Sequence, residues 1–179
     1  MEVAGSALIV PRPVRVELGG QSYRIPARPA ADWMAVLLDK DLADIVPGML
    51  EGDLDALWDR VFDGEVTTAE CEEAAKAALS AVAGTPWWVA VKLVHSAAAD
   101  PGVIGELRSS GADITTLPLG AVLAALYRIY TRDRDPKDVA KVDAEIAKLP
   151  PGVSAVEARY NEAAAAAAFE ARFAERGGR

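Results

Sequence analysis

A chain of 179 residues with a formal net charge of −8 fits one domain with or without an appendage, and it is long enough to fold without staples. That charge disfavours binding to nucleic-acid phosphates and to anionic membranes, both of which want clustered Lys and Arg. One cysteine excludes an internal disulfide, and one histidine excludes a multi-histidine metal site.

Taken in order, residues 1–13 lack a clear period and end in Pro11-Arg12-Pro13, so they read as a flexible N-terminal arm. Ala7-Leu8-Ile9-Val10 is too short for a signal-peptide core, and no basic segment precedes it. No stretch reaches the roughly 18 apolar residues of a membrane span, so a cytosolic protein is expected.

Val14–Leu18, Gly19-Gly20 and Gln21–Ile25 spell a β-hairpin, with the glycines supplying the positive φ angles of a two-residue turn. The register pairs Val16 with Tyr23 and Val14 with Ile25 on an apolar face, and it leaves Arg15 opposite Arg24 on a wet one. Pro26 and Pro29 end the hairpin. Ala30–Lys40 follows as a short helix with Trp33, Val36 and Leu37 on one side. Asp41–Val46 continues it after a bend, closed by Pro47-Gly48.

Asp53 then caps a helix directing Leu54, Leu57, Trp58 and Val61 inward, stopped by Asp63-Gly64. Thr67-Thr68-Ala69-Glu70 fits a capping box, opening a helix to about Val82 with Gly84 as its stop. Next comes Thr85-Pro86-Trp87-Trp88-Val89-Ala90-Val91-Lys92-Leu93-Val94-His95, a helix apolar almost all round, with Thr85 as N-cap and an end near Ala99. Trp87, Val91, Val94 and Ala98 share one face of it. Trp88, Lys92, His95 and Ser96 share the other. Either a neighbouring helix covers Trp88, or Trp88 beside Lys92 is a contact for a partner.

Asp100-Pro101 restarts the chain as cap and first turn, with Val103, Ile104 and Leu107 inward and Gly111 at the end. Leu119–Tyr130 carries a continuous apolar stripe. Asp135-Pro136 caps a helix bearing Val139, Val142, Ile146 and Leu149, which Pro150-Pro151-Gly152 breaks. Ser154 and Glu157 form a last capping box, opening an Ala-rich helix to Glu175. On that arm Phe169 and Phe173, an i, i+4 pair, either dock in a groove on a partner or a second copy, or fold back on the domain.

The expected fold is therefore mainly α. It is a compact multi-helix domain over residues 14–152 with an N-terminal β-hairpin at 14–25, and a C-terminal Ala-rich helical arm over 153–179.

Chemistry is sparse. His95, alone among Val and Ala, reads as structural. Cys71 lies beside Glu72 and Glu73, which raise a thiol's pKa and make it a poor nucleophile. The carboxylates Asp39, Asp41, Asp44, Asp53, Asp55, Glu72 and Glu73 fall at helix starts and on outer faces, without the pattern of a calcium loop. Phosphate-cradling and nucleophile-elbow motifs are absent, so neither an enzyme nor a cofactor or metal site is expected.

Four pieces together carry a resemblance: the hairpin with Ala31-Asp32-Trp33; Pro86-Trp87-Trp88-Val89-Ala90 with Lys92-Leu93; Gly111-Ala112-Asp113 with Leu119–Tyr130; and Asp135-Pro136 leading to Leu149-Pro150-Pro151-Gly152. Their order and spacing over roughly residues 14–152 resemble the tail assembly chaperones of long-tailed phages (siphophages) of actinobacteria. The resemblance implies a non-enzymatic protein of the bacterial host cytoplasm, absent from the mature virion, that keeps the tape-measure protein soluble while the tail tube assembles. It also implies a programmed frameshift that yields a longer form, a second partner, with residues 153–179 as the part that differs. The surface expected to meet the client is Trp88 and Lys92 with Phe169 and Phe173 of the arm. The alternative is a structural virion protein of the head–tail connector or tail terminator type. A small carboxylate enzyme and a regulator dimerising through its arm are the remaining readings.

Overall fold

The structure, a computed structural model, describes residues 10–39, 41–51 and 54–153. Two strands, β1 (Val14–Leu18) and β2 (Gln21–Ile25), form an antiparallel hairpin in the expected register, Val16 opposite Tyr23 and Arg15 opposite Arg24. Gly19 and Gly20 both have positive φ, as the turn demands. Val16, Leu18 and Ile25 are buried, and the two arginines point to solvent.

Eight helices follow among the described residues: α1 (Ala30–Asp39), α2 (Leu42–Met49), α3 (Leu54–Phe62), α4 (Thr68–Ala83), α5 (Trp87–Ala99), α6 (Pro101–Ser109), α7 (Leu119–Thr131) and α8 (Pro136–Ala147). The chain is mainly helical with an N-terminal hairpin. The expected arm over 153–179 and its Phe169 and Phe173 lie beyond Val153 and outside the described residues, as does most of the N-terminal arm.

Helices α4 and α5 form the centre. α4 packs on β1, α2, α5 and α7, while α5 meets α1, α4, α6, α7 and α8. The buried side of α4 is built around Leu79 with Cys71, Ala74, Ala75, Ala78 and Ala83, small residues that let neighbouring helices approach closely. Gly120 extends that logic at the start of α7, since a Cβ there would stand 2.6 Å from the Ala83 carbonyl oxygen.

Local chemistry sets the boundaries. Thr67 and Glu70 form the expected capping box: the Glu70 N–H donates to Thr67 Oγ1 (3.2 Å) and the Thr67 N–H to Glu70 Oε2 (2.8 Å). Gly84 ends α4 in the left-handed conformation. Asp100 caps α6 and Asp135 caps α8, each with proline in the first turn. The start of α1 has its cap from elsewhere: the Ala30 and Ala31 N–H groups donate to the Leu117 and Ile114 carbonyls.

Two expectations fail locally. α2 does not close at Pro47 but runs through it to Met49. Pro47 and Met49 are both buried with Ile45 and Val46, and that burial outweighs the lost backbone bond in a two-turn helix. Thr85 does not cap α5. Pro86 occupies the cap position without a side-chain bond, and Ser80 Oγ, reaching across from α4, accepts the Trp87 N–H at 3.1 Å.

No single described helix is long and apolar enough to cross a membrane; α4 and α5 would meet that test only as a pair, and they bend by 74° at their junction.

Candidate docking surface

Trp88 and Lys92 occupy different ground from that expected of a surface contact. Trp88 is 2% exposed, because α5 is enclosed by five other helices, while His95 and Ser96 of its polar stripe are exposed and Lys92 is half-buried. Trp88 therefore belongs to the core, edge-on to Trp87 at 5.9 Å between ring centroids. The Lys92 ammonium donates to the Glu145 and Lys148 carbonyls at 2.7 and 2.6 Å, which places a cation at the C-terminal end of α8. Its role there is to dock α8 on α5.

The exposed aromatic surface lies on α3. Leu57 is buried, whereas Trp58, expected inward, is 38% exposed and Phe62 is 82% exposed. At about 100° per residue, Leu57 and Val61 centre the buried stripe, Trp58 falls at its edge, and Phe62 lies further round beside Asp55. The two rings lie 6.2 Å apart, tilted by 32°. With Asp55 and Asp59 they form an open, shallow face on the outer side of α3. Both carboxylates face solvent, and neither makes a hydrogen bond or ion pair with another described residue.

One side chain bolts α3 to the hairpin. Arg60 donates to the Gly19 carbonyl (2.8 Å), to Tyr23 Oη (2.7 Å) and to Glu65 Oε2 (3.0 Å). The bonds to Glu65 and then Tyr23 raise the guanidinium's pKa above its ordinary value, against a small opposing effect of burial. The α3 face opposite Arg60 is thereby held outward on a fixed base.

Cys71, Lys76 and His95 make their contacts within the fold. Cys71 is buried, and burial first, then Glu70 and Asp44, pushes its thiol pKa up. For Lys76, burial pulls the pKa down, but hydrogen bonds to Glu73 and Glu72 outweigh it and the net shift is upward. The Lys76 ammonium sits 5.5 Å above the Trp87 ring. His95 Nε2 lies 3.1 Å from the Leu37 carbonyl. Among the described residues, no three His, Cys, Asp or Glu side chains gather as a metal would need. Asp53 lies outside the described residues.

The arrangement on α3 therefore offers recognition: two rings to bury and two carboxylates to meet cations. Compared with known families, with curated proteins and with solved structures, the chain finds no match in any of the three.

Proposed function

We propose that the chain is a tail assembly chaperone of a long-tailed phage, which binds the tape-measure protein and keeps it soluble while the tail tube forms. The reading rests on the layout of the hairpin, the Trp87-Trp88 helix and the Pro150-Pro151-Gly152 break. The observation that carries it furthest is the outer face of α3, where Trp58 and Phe62 stand exposed beside Asp55 and Asp59. A protein that shields apolar helices from one another needs an exposed apolar contact and enough charge to stay dispersed itself, and a net charge of −8 supplies the second. In this reading the client contact is Trp58 and Phe62, in place of Trp88.

The test is co-expression with the tape-measure protein encoded beside it. A tape-measure protein that is insoluble alone and co-purifies with this chain supports the proposal, and Trp58→Ala/Phe62→Ala lowers the recovered complex at least tenfold. If the tape-measure protein stays insoluble and the chain assembles alone into a closed ring, the connector or terminator reading replaces it.

A further inference from the structure

More than half of the chain's net charge sits around one helix. Residues 51–65 hold six acids and one base, Arg60, and so carry −5 of the formal −8. Arg60 is already committed to Gly19, Tyr23 and Glu65. Asp55 and Asp59 stand in solvent, and neither pairs with another described residue.

At about 100° per residue, the outer side of α3 resolves into two parallel ridges. Trp58 and Phe62, i and i+4, form one; Asp55 and Asp59, also i and i+4, form the other beside it. Each ridge steps about 6 Å along the axis, the rise of four helical residues. The ring ridge borders the inward stripe of Leu57 and Val61, and the carboxylate ridge lies further out.

Charge decides what can cover these rings. The carboxylates beside them repel an anionic membrane and nucleic-acid phosphates alike. A second copy meeting this face about a twofold axis brings the same acids together, and like charges at close range oppose that contact. A purely apolar segment strips water from Asp55 and Asp59 and puts nothing in its place. A helix whose apolar stripe is bordered by Lys or Arg meets both ridges at once. Its own i, i+4 residues have the same rise, so apolar side chains cover Trp58 and Phe62 while cations reach Asp55 and Asp59. A cation beside an exposed indole gains further from the ring face.

We infer that the outer face of α3 docks a helical segment of another polypeptide that carries Lys or Arg along one border of an apolar stripe. The inference rests on the reading of Trp58 and Phe62 as the client contact and narrows it: the stretch of client they shield is amphipathic and cationic.

Calorimetric titration of the full-length chain with designed peptides tests it. The peptides have about 20 residues, long enough for a helix to hold in water. One has a Leu stripe bordered by Lys, with Ala and Gln elsewhere; its twin has Glu in place of every Lys. The Lys peptide is expected to bind about tenfold or more tighter than the twin. Trp58→Ala/Phe62→Ala weakens it about tenfold or more, and Asp55→Asn/Asp59→Asn about threefold. Phe62→Ala alone, at an 82% exposed ring that the core does not need, weakens it in the same direction. Glu17→Gln/Glu145→Gln removes as much charge from exposed positions elsewhere and leaves the affinity unchanged. No binding of the Lys peptide, equal binding of the twin, or a loss in the Glu17/Glu145 control equal to that in Asp55→Asn/Asp59→Asn overturns the inference. So does self-association, measured by sedimentation, that Trp58→Ala/Phe62→Ala abolishes, since a second copy is then the occupant. If the Lys peptide binds through α3 while the tape-measure protein fails to co-purify, the docking chemistry stands and the tape-measure protein is not the client. If the tape-measure protein is captured through Trp58 and Phe62 while both peptides bind alike, the client reading stands and the cationic partner is wrong.

Discussion

Trp87–Trp88 on α5 and Trp58–Phe62 on α3 are both close aromatic pairs on helices, yet one lies in the core and the other faces water. Trp87 and Trp88 are 7% and 2% exposed, enclosed by α1, α4, α6, α7 and α8. Trp58 and Phe62 project from a helix whose firmest attachment is Arg60 on the hairpin turn. Adjacent aromatics point about 100° apart and need neighbours on two sides; aromatics four apart share a face and need a neighbour on one. Ring chemistry does not decide between core and contact. The number of helices packed around the element does.

Stability separates the two pairs most sharply. Trp88→Ala is expected to cost about 3–5 kcal/mol, the usual consequence of hollowing a core site, read as a fall in urea midpoint at unchanged m. Trp88→Phe is expected to lose less than half of that, because the Trp88 indole N–H is buried with no hydrogen-bond partner among the described residues and its removal relieves an unmet donor. Phe62→Ala should change stability by less than about 0.5 kcal/mol, as exposed positions generally do. If Phe62→Ala unfolded the chain as readily as Trp88→Ala, the division between core pair and surface pair would be wrong.

The packing of α7 on α4 offers a second contrast, between a helix held by close backbone approach and one held by a polar bolt. Gly120→Ala forces a Cβ to within 2.6 Å of the Ala83 carbonyl, and backbone cannot turn aside as a side-chain tip does. The expected loss is about 1–3 kcal/mol by overpacking, seen as a lower thermal midpoint. Arg60→Met keeps the aliphatic stem and removes the donors to Gly19 and Tyr23. It should leave the global midpoint nearly unchanged while amide exchange in α3 quickens, since the bolt secures one element rather than the core. Exchange unchanged in α3 would mean that Leu57 alone holds the helix.

These contrasts also mark what the sequence made legible. The hairpin register followed from alternation and a Gly-Gly turn, and the capping box of α4 from Thr67 and Glu70, because both are local codes read within a few residues. Trp58 was misplaced inward because the stripe Leu54, Leu57, Trp58, Val61 has helical spacing whether or not a neighbour covers its edge. The signal for the exposed pair was present nonetheless: Phe62 falls beside Asp55 on a helical wheel, where no core stripe would place a phenyl ring. For Trp88 the covered reading holds and the contact reading does not, and its polar stripe-mates gave no sign that α8 would dock beside Lys92. The Ser80 hydroxyl that serves the start of α5 belongs to another helix, and such a cap has no local signature.

The smallest expected effect concerns acid, and it contrasts two ways of beginning a helix. α4 starts on a carboxylate cap, whereas α5 starts on the neutral hydroxyl of Ser80. Hydrogen bonds first from the Thr67 backbone and then from its side chain hold the Glu70 carboxyl below its ordinary value of 4.5. A carboxyl with a depressed folded-state pKa binds a proton more readily in the unfolded chain. Its stabilisation is therefore complete above 4.5 and fades as pH falls from there through the depressed value. Asp113, held below its ordinary 3.8 by the Thr115 hydroxyl and then the Thr115 N–H, adds a second contribution lost at still lower pH. Glu70→Gln keeps an acceptor for the Thr67 N–H but cannot titrate, so it should flatten the decline in urea midpoint just below pH 4.5 and leave the Asp113 decline in place. Protection of the first-turn amides of α4, taken relative to their intrinsic exchange at each pH, should then become independent of pH in that window while the first turn of α5 behaves alike in both proteins, and equal acid sensitivity of the two helix starts in the unmodified chain would show that the Glu70 cap carries no charge-dependent stability.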